Sequence, residues 1–147
     1  MFPPWSLENG RWTDACIGRT LRTGNIAEID EHGFIYIVDR IKDIVIRGGE
    51  NIFPGDTEQA CYQIDGVKEC VAFGVPDDVM GEELAMLVRI GADSKLDETA
   101  LREALADRIA GFKVPRYIEL TYEPLLRGAT EKFDKRAIRE LFLEQHG

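Results

Sequence analysis

The chain has 147 residues, 44% of them hydrophobic, and sets 18 Lys and Arg against 27 Asp and Glu for a formal charge of -9. That length supports one hydrophobic core with an appendage rather than two full-sized domains. The acidic balance repels nucleic acid and anionic membrane at long range, yet leaves room for a small anionic ligand held by a few well-placed cations.

Cys16, Cys61 and Cys70 have no C-x-x-C spacing and histidine is limited to His32 and His146, so neither a disulfide framework nor a metal site follows. The opening Met1-Phe2-Pro3-Pro4-Trp5 is not a secretory signal. No stretch approaches the roughly 20 apolar residues a membrane span needs. A reducing, cytoplasmic setting is the resulting expectation.

In chain order, the first twenty or so residues mix Pro, Gly and polar groups without periodicity and read as extended chain that builds no core. Ile26 to Val38 then place apolar residues around Asp30-Glu31-His32-Gly33, the pattern of a β-hairpin. Ile44-Val45-Ile46 reads as a short strand, followed by a loop over Arg47-Gly48-Gly49-Glu50-Asn51. Pro54 suits the first turn of a helix reaching about Ile64, with Cys61 turned inward. Cys70 to Val75, ended by Pro76-Asp77-Asp78, and Leu84 to Ile90 read as neighbouring strands. Asp97 is the N-cap expected for a helix carrying Leu101, Ala104, Leu105 and Ile109, and Gly111 is expected to stop it. Tyr117 to Leu120 resembles a strand, and Asp134 is placed to cap a last helix with Ile138, Leu141 and Phe142 turned inward. The order strand, helix, strand, strand, helix, strand, helix predicts an α+β fold, a small sheet flanked by helices and preceded by a hairpin.

Five motifs then occur in order: Arg22-Thr23-Gly24-Asn25; Asp39-Arg40-Ile41-Lys42-Asp43; Gly48-Gly49-Glu50-Asn51-Ile52-Phe53-Pro54; Gly74-Val75-Pro76-Asp77 with Gly81-Glu82; and Gly111-Phe112-Lys113-Val114-Pro115. Together they resemble the C-terminal part of the adenylate-forming superfamily, which includes acyl-CoA synthetases, luciferases and peptide-synthetase adenylation domains. The Gly-Gly-Glu-Asn-Ile-Phe-Pro run is most similar to the CoA ligases. The resemblance implies a two-step reaction with ATP, Mg and CoA: a carboxylate attacks ATP to give an acyl-adenylate, then a thiol displaces AMP. It also implies a small domain that rotates between the steps.

Carried over residue by residue, the resemblance makes Lys132 the catalytic arm at the α-phosphate, where negative charge accumulates during adenylation. A solvated surface lysine is the plain alternative. The family pattern has glycine and asparagine where this chain has Glu131 and Gly128. Asn25 stands where the family has an aspartate that accepts from the ribose hydroxyls; it keeps one acceptor oxygen and loses the charge. A turn asparagine explains it equally well. Arg40 matches a second ribose contact, and Lys42 falls on the hinge, between a hairpin and a strand. Gly48 and Gly49 match the wall of the pantetheine tunnel, or form a tight turn. Lys113 and Arg116 are candidates to meet CoA phosphates, as point charge and fork respectively; cationic residues ahead of a strand are equally commonplace without a ligand.

The phosphate-gripping loop and acyl pocket of the family belong to a large N-terminal AMP-binding domain and do not occur in this sequence. The resemblance therefore divides the chain into residues 1–39, the tail of that large domain with its hairpin, and residues 40–147, the lid. It further implies that the chain is inactive in acyl-CoA or fatty acid metabolism without the large domain, encoded in the same gene or separately. A degenerate lid kept as an interaction module is the alternative that Asn25, Gly128 and Glu131 raise.

Overall fold

The computed structural model describes residues 24–146, with only the backbone of Glu28 and Val38, and the backbone of four two-residue strands before them. These are β1 (Leu7–Glu8) paired antiparallel with β2 (Arg11–Trp12), and β3 (Cys16–Ile17) paired antiparallel with β4 (Thr20–Leu21). The extended, coreless character expected of this segment otherwise lies outside the described residues, as do Arg22 and Thr23. The chain forms two compact units, residues 1–42 and 43–147.

In the first unit, β5 (Asn25–Ile29) and β6 (Ile35–Arg40) form the expected antiparallel hairpin. Asp30 organises its turn: one carboxylate oxygen accepts the His32 and Phe34 N–H groups, and the other accepts the Tyr36 hydroxyl at 3.1 Å. The Phe34 bond foremost, with those from His32 and Tyr36, holds the Asp30 carboxyl below its ordinary range. A register shift follows Ile26, so that Ile26 faces Asp39 while Ala27 faces Ile37.

The second unit carries the hydrophobic core. A 3-10 turn, Ile41–Asp43, spans the division in sequence, and after it come β7 (Val45–Arg47), β8 (Glu50–Ile52), α1 (Pro54–Tyr62), β9 (Val67–Asp77) and β10 (Gly81–Ile90). α2 (Glu98–Ala106), β11 (Tyr117–Thr121) and α3 (Lys135–His146) complete it. β9 runs antiparallel along one edge of β10. The other edge is shared: β11 pairs with it in parallel from Ala85, β7 touches it at Gly81, and β8 continues outward from β7.

Alternation along β9 and β10 assigns the two faces of the sheet. Cys70, Ala72, Leu84, Met86 and Val88 meet Cys61 and Ile64 near α1 and Leu101 and Leu105 of α2. Val71, Phe73, Val75 and Ala85 meet Ile138 and Phe142 of α3, with Phe73 and Phe142 edge to face at 5.4 Å. Leu101 and Leu105 are fully buried, each contributing about 1.5–3 kcal/mol. The expected α+β sandwich with helices against a sheet is the observed fold.

Several boundaries differ from the sequence reading. The expected loop 47–51 is a two-residue turn at Gly48-Gly49, with φ of +55° and +88°, and Glu50-Asn51 already belong to β8. Left-handed angles at both central positions let such a tight hairpin match strand twist. Pro76 does not end β9. It lies within the strand, where a missing N–H is tolerated because β9 is an edge. Gly111 is not the stop of α2, which ends at Ala106 with Asp107 as its C-cap; Gly111 instead opens a 3-10 turn. Both acidic caps form as expected: Asp97 accepts from the Ala100 N–H at 2.8 Å and Asp134 from Ala137 at 3.1 Å. Leu141 points outward, 45% exposed, because Ile138 and Phe142, one turn apart, take the inward stripe.

The outer edge of β9 is sealed by side chains. The Tyr62 hydroxyl accepts the Cys70 N–H, Glu58 Oε1 accepts the Ala72 N–H at 2.9 Å, and Arg139 Nε donates to the Gly74 carbonyl at 2.7 Å. These bonds satisfy backbone groups that would otherwise template pairing with another strand.

Candidate functional site

Within the first unit, Asn25 and Arg40 are direct cross-strand partners, and the hairpin is closed behind them by the Ile41 N–H donating to the Gly24 carbonyl at 2.8 Å. The structure thus brings the two expected nucleotide contacts to one end of one hairpin. Lys42 is exposed in the 3-10 turn and is the last residue of that unit.

In the second unit, Gly48 and Gly49 cap the β7–β8 hairpin. The Gly48 N–H donates to the Met80 carbonyl at 2.8 Å, and a Cβ at Gly48 would stand 2.6 Å from Met80 Cε. Met80 Cε is the tip of a flexible side chain that can move aside, so it is the left-handed backbone angle that calls for glycine at Gly48. At Gly49 the space is open, so its bare backbone is accessible to a ligand.

The Lys113 ammonium lies 2.8 Å from Asp56 Oδ2, and the Lys113 carbonyl accepts the buried Thr57 hydroxyl at 3.0 Å. Beside it Asp56, Gln59, Gln63, Arg108, Ile109 and Lys113 line a cleft of ≈ 450 Å³. Arg116 is engaged differently, at 3.3 Å from Glu83.

Lys132 is exposed and, among the described residues, makes no ion pair. It lies in a loop closed by the Gly128 N–H donating to the Lys132 carbonyl at 2.8 Å and by the Asp134 N–H donating to the Leu126 carbonyl at 3.0 Å. Glu131 has φ of 61°, the one positive φ outside glycine among the described residues. The missing family glycine thus falls at a position whose backbone suits glycine. Relief of about 1–2 kcal/mol of left-handed strain, less about 0.5–1 kcal/mol for glycine's chain entropy, makes Glu131→Gly modestly stabilising. Urea unfolding should give a higher midpoint; a lower one would show that the Glu131 side chain contributes more than its backbone costs.

The Gly48-Gly49 turn and the Lys132 loop are anchored at opposite ends of β9. The first meets the Asp77–Gly81 hairpin end through Met80, the second is tied to Glu69 through Leu125 and Arg127. At about 3.3 Å per residue these ends are separated by about 25 Å. The two candidate elements are not brought together within this unit; they occupy separate regions of its surface.

Sequence reasoning missed two carboxylates. Glu83 is 1% exposed and bridges Arg47 Nε at 2.7 Å and Arg116. That hydrogen bond raises the Arg47 pKa above its ordinary value. Glu69 accepts from Arg127 and from the Leu125 N–H, which in that order hold its carboxyl below the usual range. For Glu83 the available signal was a carboxylate on the inward-alternating positions of a largely apolar strand, which marks the residue but not its partners; Glu69 carries no such signal.

This α+β arrangement, a small mixed sheet with helices on its faces, is the fold of the C-terminal domains of adenylate-forming enzymes. It superposes on a Mycobacterium tuberculosis fatty acyl CoA synthetase with a TM-score of 0.73 at 34% identity, covering 90% of this chain and 26% of that one. The o-succinylbenzoate CoA synthetase of Bacillus subtilis gives a TM-score of 0.81 over 90% of this chain and 27% of that one, at 24% identity, a likeness of fold. In sequence, the chain is 39% identical to the mitochondrial medium-chain acyl-CoA ligase ACSF2 of Rattus norvegicus over 86% of its own length and 21% of the relative's. The model of the AMP-binding enzyme C-terminal domain matches residues 56–132, more than half of the chain, and the chain belongs to that family. It spans between a fifth and a quarter of the length of such curated relatives. Among the described residues, no helix is long and apolar enough to cross a membrane.

Proposed function

We infer that this chain acts as the C-terminal lid of an AMP-forming acyl-CoA ligase, supplying residues to ATP-dependent carboxylate adenylation and then to thioester formation with CoA. The observation that carries the reading is its similarity to CoA ligases over only a fifth to a quarter of their length, within which Lys132 stands in an exposed, closed loop. Its partner is the large N-terminal AMP-binding domain, in the same or a separate chain, and the lid is inactive without it. Residues 1–39 are the tail of that domain and residues 40–147 the lid, a division that falls at the last residue of β6.

In this reading Lys132 places its ammonium against the α-phosphate as charge builds there. Asn25 and Arg40, opposite one another, accept from and donate to the ribose. Lys42, where the two units divide, is the hinge. Gly49, open to solvent, and Gly48 flank the pantetheine arm, and Lys113 meets a CoA phosphate in competition with Asp56. Mg enters with the ATP phosphates. Buried free thiols at Cys61 and Cys70 suit a reducing compartment such as the cytoplasm.

The test is calorimetric titration of the chain with ATP, AMP and CoA, each with magnesium, alone and after adding the large domain of a related ligase stripped of its own lid. Binding and thioester formation confined to the mixture are expected. Their absence in both would favour a degenerate lid serving as an interaction module, the reading that Glu131 and Asn25 invite.

A further inference from the structure

We propose that Arg127 is a positioning residue for Lys132: fixed on Glu69 of β9, it holds the 126–134 loop in the shape that presents the lysine. The proposal rests on the lid reading for what Lys132 then does.

One guanidinium makes three contacts. It donates to Glu69 Oε1 at 2.8 Å, donates to the Glu131 carbonyl at 2.7 Å, and lies 4.2 Å from the Phe133 ring centroid. Glu131 and Phe133 are the residues on either side of Lys132, so Arg127 grips the lysine's two chain neighbours. Glu69 uses its second oxygen to accept the Leu125 N–H at 3.0 Å. The same carboxylate, 14% exposed and flanked by Arg89 at 3.7 Å, therefore fixes both the entry of the loop and the arginine that braces its far side. Arg127 also pairs across the neck of the loop with Phe133.

The chemistry requires this kind of support. An exposed lysine has four rotatable carbons and no inherent direction, and a reacting group displaced by about 1 Å costs about a hundredfold in rate. Only a planar fork can donate in two directions and stack on a ring at once. A lysine at 127 keeps the charge and three donors but loses the planar face on the ring and the two-armed reach, and a glutamine loses the charge as well. Besides Arg127, three backbone bonds hold the loop, from the Gly128, Glu131 and Asp134 N–H groups to the Lys132, Gly128 and Leu126 carbonyls, and Phe133 packs on the core, so the arginine is the side chain that ties this framework to Glu69 of β9.

Two measurements test the assignment. In the chain alone, hydrogen exchange of Arg127→Gln should show the Gly128 and Asp134 amides losing protection while Val71 and Val88, in the sheet, keep theirs. In the chain reconstituted with a ligase large domain, the same variant should lower kcat for acyl-adenylate formation by about tenfold to a hundredfold. It should leave thioester formation from a supplied acyl-adenylate unchanged, and Arg127→Lys should restore only part of the loss. A general structural defect would depress both half-reactions. Unchanged loop protection in Arg127→Gln would overturn the proposal, as would wild-type adenylation by that variant when Lys132→Ala has lost it. If Lys132→Ala itself adenylates normally, the lid reading fails and the positioning role falls with it.

Discussion

Replacing Glu83 with alanine is expected to destabilise the second unit by about 2–3 kcal/mol, somewhat less than breaking a fully enclosed ion pair costs. Glu83 lies on β10 between Gly81, where β7 pairs, and Ala85, where β11 begins. Two strands share this edge without touching one another through a ladder there, and the carboxylate joins them by taking Arg47 of β7 and Arg116 from the approach to β11. Removal leaves two cations facing a void on the α3 side of the sheet. The loss stays below the 3–5 kcal/mol of a fully enclosed pair because the Arg47 and Arg116 side chains are 30% and 55% exposed and water can reach both. Glu83→Gln, which keeps volume and an acceptor, should cost less than the alanine change. Urea unfolding of the three proteins decides it: equal midpoints for wild type and Glu83→Ala would reduce the bridge to a surface decoration.

Glu83 also marks where sequence reading stops. The hairpin around Asp30, the Asp97 and Asp134 caps and the apolar β10 strand depend on neighbours within a few residues, and each was legible. β8 was not, because Glu50 and Asn51 are polar and both sides of the Gly48-Gly49 turn look like loop. Its membership of the sheet depends on Val45 pairing with Ile52, which only the turn geometry specifies. Leu141 reads as inward because its spacing is compatible with a helical stripe, whereas the choice between Leu141 and Phe142 is made by the Phe73 ring of β9. The Glu83–Arg47 and Glu69–Arg127 pairs span 36 and 58 positions, and no local pattern announces them. For the candidate site the division is similar. Motif resemblance located Lys132, Gly48 and Arg40, but what holds them, Arg127, Met80 and the Gly24 to Ile41 bond, appears only in the folded chain.

The second large effect is expected at Lys132. In the reconstituted ligase, Lys132→Ala should lower the rate of acyl-adenylate formation by about a hundredfold to a thousandfold, the usual cost of removing one preorganised donor from a developing oxyanion. Thioester formation from supplied acyl-adenylate should change little, because the proposed rotation takes this loop away from the nucleotide before the thiol attacks. The neighbouring Glu131 carboxylate opposes the lysine, and its magnitude can be bounded. Two unit charges about 7 Å apart in water interact by about 0.6 kcal/mol, a factor of about three in rate. Glu131→Gln should therefore raise adenylation by no more than about threefold. A gain of that size beside a collapse at Lys132→Ala would mean that Glu131 tunes a working lid. If Lys132→Ala instead matched wild type in adenylation, the arm would carry no catalytic charge, and the two departures around it, Gly128 and Glu131, would be those of a loop released from catalysis.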